Sequence, residues 1–178
     1  FWIWLQLKTI ADVGIVGLPN AGKSSLLSFI TSAKPKIANY KFTTLNPNLG
    51  VARYDDKEIT LADIPGLIQD AHKGVGLGIK FLKHIERCKT LLHLIDVNED
   101  NIISSYKQVR SELGKYSKKL LNKNEIVVLN KIDLIDQYKL DKKVREFNIK
   151  IKKKTLLLST LDKKSVSKIK SSIINYVS

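Results

Sequence analysis

The amino-acid sequence predicts an α/β protein: a mostly parallel six-stranded sheet with one antiparallel edge strand and helices on both faces. Three observations predict it. Short apolar runs alternate with amphipathic stretches along the whole chain, the pattern of parallel strands buried on both faces by crossover helices. Two neighbouring runs are separated only by Asp55-Asp56-Lys57, a hairpin turn that adds one antiparallel strand. The first run opens directly into a glycine-containing turn, Gly17 to Gly22, and then an apolar-periodic stretch.

In chain order, Ile10–Val16 reads as a buried strand and Gly22–Ser32 as a helix. Gly50–Tyr54 and Glu58–Ala62 form the hairpin, followed by a glycine-punctuated loop and a helix around Lys80–Cys88. Thr90–Ile95 reads as a buried strand, and Ile102–Leu121 keeps apolar residues at helical spacing, which predicts one long helix. Glu125–Leu129, Gln137–Phe147, Thr155–Leu158 and Val166–Tyr176 complete the alternation as strand, helix, strand and helix. Residues 1–9 stand outside this scheme. Their aromatic run, Phe1-Trp2-Ile3-Trp4-Leu5, reads as a remnant strand of a preceding domain, leaving 10–178 as the main domain. The lack of any methionine agrees with a segment of a longer protein.

A chain of 178 residues is one domain of ordinary size, able to bury about two-thirds of its unfolded surface. No apolar run approaches the ~20 residues that span a bilayer. The single cysteine, Cys88, excludes an internal disulfide and fits a reducing compartment, a bacterial-type cytoplasm or an organellar matrix; the chain is separately expected to be a monomer. The formal charge of +14 fits either a lysine-rich solvated surface or a phosphate-rich partner, RNA above all. Its densest cluster is Lys150–Lys154, which no aromatic residue interleaves.

Gly17-Leu18-Pro19-Asn20-Ala21-Gly22-Lys23-Ser24 has the form G-x-x-x-x-G-K-S between a strand and a helix. In that setting the pattern is a phosphate-binding loop: backbone N–H groups and a helix N-terminus converge on an anion. Lys23 would reach the β- and γ-phosphates and the Ser24 hydroxyl would ligate Mg²⁺, with Ser25 beside it. Asn130-Lys131-Ile132-Asp133 follows an apolar strand and so projects from the carboxyl edge of the sheet. The Asp133 carboxylate can accept from guanine N1–H and N2 amine, donors that adenine lacks, which selects guanine by ~10⁴ or more. The Lys131 stem can cover the base, and Asn130 can tie its loop to the phosphate loop. Asp63-Ile64-Pro65-Gly66 closes the second hairpin strand, where a carboxylate can hold Mg²⁺ through water and the Gly66 N–H can reach a γ-phosphate. Between phosphate loop and hairpin, Phe42-Thr43-Thr44-Leu45-Asn46 offers hydroxyls that would complete the Mg²⁺ shell only with a γ-phosphate present.

In this order the elements are those of small GTP-binding proteins, the P-loop NTPase small G-protein fold. More closely, the chain resembles the Obg family of bacterial and organellar GTPases. The resemblance is carried by Ala11–Ser24, Phe42–Leu45 with Pro47–Gly50, Asp63–Ile68, and Ala71-His72 through Gly76-Leu77-Gly78 to Phe81–Cys88. It implies Mg²⁺ on Ser24 and Thr44, residues 42–46 and 63–66 around the γ-phosphate, and Ser159-Thr160-Leu161 beside the guanine. It implies catalysis through Lys23, Thr44 and Gly66, and a role in assembly of the large ribosomal subunit, with rRNA as partner. Two departures stand out: Lys41 replaces a proline, and Ser159-Thr160 replaces a Ser-Ala pair.

Leu67 occupies the place where many GTPases carry a water-orienting glutamine, so hydrolysis should be slow unaided, on the order of 10⁻⁴ to 10⁻² s⁻¹. Asn20 is similar to the asparagine that ligates K⁺ in potassium-stimulated relatives; otherwise it only shapes the loop. His72, His84 and His93 have no metal spacing, Cys88 lacks an activator in sequence, and Gly74–Gly78 follows no strand. The leading reading is a slow Mg²⁺-dependent GTPase switch. A nucleotide-occupancy module without turnover is the alternative, and an ATPase of the same superfamily is disfavoured by Asn130–Asp133.

Overall fold

The structure, a computed structural model, describes residues 11–31, 36–37, 48–63 and 86–177. The first strand, β1 (Val13–Val16), is buried at every position because it lies in the middle of the sheet. It pairs in parallel with β4 (Lys57–Asp63) on one side and β5 (Thr90–Asp96) on the other. β6 (Asn124–Asn130) and β7 (Thr155–Leu158) continue the parallel array beyond β5. β3 (Asn48–Tyr54) pairs antiparallel with β4 across a turn at Asp55-Asp56, with Asp55 in the left-handed region at φ 51. These are the six expected strands. A two-residue strand, β2 (Lys36–Ile37), pairs antiparallel with β3 and extends the order to β2-β3-β4-β1-β5-β6-β7. Nothing in its sequence marks so short a strand.

Helices cover both faces. On one, α1 (Lys23–Ile30) supplies Leu26, Leu27 and Ile30, which pack with Val13, Ile15 and Leu61. The final helix of the chain, Lys163–Val177, adds Ile169, Ile173 and Ile174 to the same cluster. On the other face Val109 and Leu113 from Ile102–Tyr116 pack on Val16 and Leu91, and Phe147 from Gln137–Ile151 packs on Ile95, Val127 and Leu129. Each apolar stripe falls at helical spacing, so burial of one face sets the helix orientation.

The single helix expected over Ile102–Leu121 is instead two: α2 (Ile102–Tyr116) and α3 (Lys118–Leu121). Ser117 between them is extended, at φ -156 and ψ 127, and its hydroxyl accepts from the Lys119 N–H. The break folds Leu121 back over Gly114, where an added Cβ would lie 2.9 Å from Leu121 Cδ1. Apolar spacing runs unbroken through Ser117; only its N-cap chemistry marks the break. Among the described residues the remaining α-helices are α4 (Gln137–Ile151) and α5 (Lys163–Val177), both longer than expected. Of the helix expected around Lys80–Cys88, Glu86 and Arg87 lie in a turn and residues 80–85 lie outside the described ones. So does the aromatic run of residues 1–9.

His93 lies within a strand as expected, fully buried, with Nδ1 3.0 Å from Glu125 Oε1 and its ring stacked on Tyr106. Burial alone would push the Glu125 carboxyl up. The hydrogen bond with His93, the Lys153 ammonium and the Arg110 guanidinium together hold it down at about 2. Burial pushes His93 below its ordinary value, against the pull of Glu125. Cys88 packs in the interior, and burial raises its thiol to about 12, so it is inert at neutral pH.

Candidate functional site

Because β1, β4, β5, β6 and β7 are mutually parallel, their carboxyl ends meet at one edge of the sheet. Register places Asp63 beside Ile15, Asp96 beside Asn130, and Asn130 beside Leu158. These strand ends, the connections leaving them and the first turn of α1 carry every expected site residue that the structure describes. This is the position in which open α/β sheets bind ligands.

The loop after β1 is shaped by its two glycines. A Cβ at Gly17 would stand 2.3 Å from the Leu94 carbonyl oxygen, so the chain leaves β1 pressed against β5. Gly22 is left-handed at φ 95, and a Cβ there would stand 2.3 Å from Asn130 Nδ2. That amide donates to the buried Ala21 carbonyl at 2.8 Å. Leu18 packs beneath the loop, while Pro19 and Asn20 are exposed, with Asn20 left-handed at φ 63. Lys23 folds back over the loop, its Nζ donating to the carbonyls of Gly17 (3.2 Å) and Leu18 (2.9 Å). Burial lowers the pKa of this ammonium, and Asp63 raises it. Ser24 and Ser25 occupy the exposed first turn of α1, whose N-cap, Gly22, offers no side-chain cap to the free N–H groups.

Ser24 Oγ donates to Asp63 Oδ2 at 2.5 Å. Asp63 is 1% exposed, and its other oxygen, Oδ1, has no hydrogen-bond partner among the described residues. One hydroxyl and one buried, half-satisfied carboxylate fit Mg²⁺, which binds few protein oxygens and takes the remainder from water and phosphate. Among the described residues no cluster of three or more His, Cys, Asp or Glu offers an all-protein cage.

At the end of β6, Asn130 is 1% exposed and points its amide at the phosphate-loop backbone. Lys131 is left-handed at φ 64, which turns the chain into a short 3-10 helix, Ile132–Leu134, and leaves Asp133 exposed at the sheet edge. The Lys131 ammonium lies 2.6 Å from Asp96 Oδ2. Burial would push the Asp96 carboxyl up, yet hydrogen bonds from Lys131 and from the Asn98 backbone and side chain hold it below its usual range. Through its bond with Lys131, Asp96 is a candidate site residue that the motif reading missed. Its signal is a carboxylate ending an otherwise apolar strand at the ligand edge. The loop after β7 bonds to its own helix: the Ser159 N–H donates to Ser165 Oγ, which donates to the Ser159 carbonyl. The Leu161 N–H donates to Ser159 Oγ, Thr160 lies in the turn, and the Leu161 side chain is 80% exposed. The sheet thus joins Gly17–Ser25 to Asn130, Ser24 to Asp63, and Lys131 to Asp96. Phe42, Thr43, Thr44, Leu45, Asn46, Ile64, Pro65 and Gly66 lie outside the described residues, as do Lys41, Leu67, His72, Gly74–Gly78 and His84.

Sheet order, loop placement and motif order define a P-loop NTPase domain with the small G-protein fold. The model of the family described as "50S ribosome-binding GTPase" matches residues 12–131, and the chain belongs to that family as an Obg-like G domain. It is 67% identical over 176 residues to GTPase Obg of Pelagibacter ubique, covering 99% of this chain and 54% of that protein. The chain therefore spans about half the length of the curated relatives that it matches. Among solved structures it is similar to Aquifex aeolicus Era bound to GDP·AlF4⁻, with a TM-score of 0.72 and 25% identity, covering 93% of this chain and 56% of that one. Era in complex with MgGDPNP and a segment of 16S ribosomal RNA is similar with a TM-score of 0.69 and 26% identity, over 92% of this chain and 55% of that one.

Proposed function

We propose that this domain binds GTP and GDP and hydrolyses GTP to GDP and phosphate, acting as a slow Obg-like switch with the large ribosomal subunit as its partner. The observation that carries the reading is the Asn130 bridge, a side chain of the guanine-type motif bonded to the Ala21 carbonyl of the phosphate loop. It connects two motifs whose bonded residues are 109 positions apart in the chain, which supports recognition of the base and the phosphates of one ligand by a single site.

In this reading Gly17, Leu18, Pro19, Asn20, Ala21, Gly22, Ser24 and Ser25 surround the phosphates with backbone N–H groups. Lys23 exchanges its two loop carbonyls for phosphate oxygens, so its ammonium keeps hydrogen-bond acceptors in both states. Asp133 accepts from guanine, the Lys131 stem covers the base, and Ser159-Thr160-Leu161 lies beside it. Ser24 and Thr44, with Asp63 through water, would hold Mg²⁺, which when bound neutralises charge developing on the β- and γ-phosphates. Water attacks the γ-phosphate in line while Lys23, Thr44 and the Gly66 N–H stabilise the transferring group. Phe42–Asn46 and Asp63–Gly66 sense the γ-phosphate, and Asn20 is the residue through which K⁺ would act. Support for the ribosomal partner comes from the family description.

The test is binding of labelled GDP competed by GTP and ATP, followed by phosphate release in K⁺ and Na⁺ with and without large subunits. Competition by GTP alone and Mg²⁺-dependent release that subunits stimulate are expected. Equal competition by ATP refutes guanine selection. Intact GDP binding with no release under any condition refutes turnover and leaves nucleotide occupancy as the output.

A further inference from the structure

The edge of the sheet opposite the candidate site is strongly basic. The turns that enter β6 and β7 both lie there, and residues 118–125 and 150–154 contain seven lysines and a single acid, Glu125. That acid adds little negative potential. Its side chain is fully buried and already bonded to His93, Tyr106 and Lys153, with Arg110 3.7 Å away. Only Lys153 among the seven is committed to it. Lys118, Lys119, Lys150, Lys152 and Lys154 are exposed, and none has a carboxylate partner among the described residues. Lys123 rests on the Cys88 carbonyl, which satisfies a donor but leaves the charge un-neutralised.

These turns flank a cavity of about 460 Å³ whose lining includes Lys123, Lys153, Lys154, Ser172 and Tyr176, with the ion-paired Glu125 in its wall. In sequence no aromatic residue interleaves the Lys150–Lys154 cluster; the fold brings one from elsewhere in the chain. α5 runs back along the sheet and places Tyr176, 54% exposed, at the cavity rim. Paired cations, a hydroxyl and an exposed aromatic face around a concavity match a nucleotide of a flexible strand. Phosphates lie on the lysines, and a splayed base stacks on the tyrosine. Stacked bases of a duplex cannot enter such a cavity, and a bilayer surface has no use for a concave one.

We propose that this edge binds single-stranded RNA, as a surface separate from the nucleotide site. It goes beyond the GTPase reading, and only the choice of RNA over DNA rests on the ribosomal partner. The experiment is fluorescence anisotropy of a labelled oligouridine with the GDP-loaded chain, titrated between about 50 and 200 mM salt. Lys152→Gln with Lys154→Gln is expected to lower the log–log salt slope by about 1.4, from about 0.7 per phosphate contact on a single strand. Tyr176→Ala is expected to weaken binding at least about 5-fold with the slope unchanged, while Tyr176→Phe, which keeps the ring, restores it. Labelled-GDP affinity should be the same in all variants, so failure of this surface is distinguishable from failure of the nucleotide site. An unaltered slope in the lysine variant, wild-type affinity in Tyr176→Ala, or tighter binding to the oligodeoxyuridine overturns the proposal. So does retention on phosphatidylglycerol vesicles that RNA does not displace.

Discussion

Replacing Gly22 with alanine tests whether the two halves of the site are joined through Asn130. Gly22 sits at φ 95 and ψ 21, a conformation that costs an L-residue about 1–3 kcal/mol. The new Cβ would stand 2.3 Å from Asn130 Nδ2, so the amide must retreat by about 1 Å to reach ordinary contact distance. Retreat breaks its 2.8 Å bond to the Ala21 carbonyl. Ala21 and Asn130 are each 1% exposed, so water does not replace the bond, and the unsatisfied groups cost about 1–3 kcal/mol. The sum is about 2–6 kcal/mol, or a fall in Tm of at least about 4 °C for a domain of this size. The decisive measurement is a double-mutant cycle by urea unfolding, with labelled-GDP affinity recorded alongside. In an Asn130→Ala background there is no amide to displace, and Gly22→Ala should cost only its backbone part. The coupling is then about 1–3 kcal/mol. Strictly additive costs would refute the bridge as the connection between phosphate loop and base loop.

The other predictions concern single groups. Ser24→Ala removes the hydroxyl that bonds Asp63 Oδ2; Mg²⁺ should no longer tighten GTP binding, measured by titration with and without EDTA. Asp133→Asn should weaken GDP binding by at least about 10³-fold, yet the side chain is exposed, so unfolding should shift by no more than about 0.5 kcal/mol. Stability should fall in acid in two stages. His93, held below its ordinary 6.5, contributes stability that is present above that value and lost as pH falls. Glu125, held at about 2 against an ordinary 4.5, contributes about 3 kcal/mol that is present above 4.5 and lost as pH falls towards 2. In Glu125→Gln the urea midpoint should be lower at neutral pH and flatter below 4.5; an unchanged acid slope would count against the network.

The motifs were legible because each is local. Gly17–Ser24, Asp63 and Asn130–Asp133 announce themselves through spacing and the strands before them, and all of these lie at one sheet edge. Asp96 was not legible as a site residue. Its partner Lys131 is 35 residues away, and only the parallel pairing of β5 with β6 brings them level. The helix break at Ser117 escaped for a related reason: apolar periodicity reports which face is buried, and both α2 and α3 bury that face.

The α/β alternation, the strand-loop-helix form of the candidate phosphate loop and the candidate guanine-recognition residues could be read from the chain alone, since those depend on neighbours within a few positions. Tertiary structure alone decided which distant groups meet. It set Asn130 on Ala21, Lys131 on Asp96, His93 on Glu125, and Tyr176 beside Lys154. The physical reason is sheet register. Backbone hydrogen bonding aligns strands that are far apart in the chain, and side-chain contacts across that alignment have no periodicity in the sequence to reveal them.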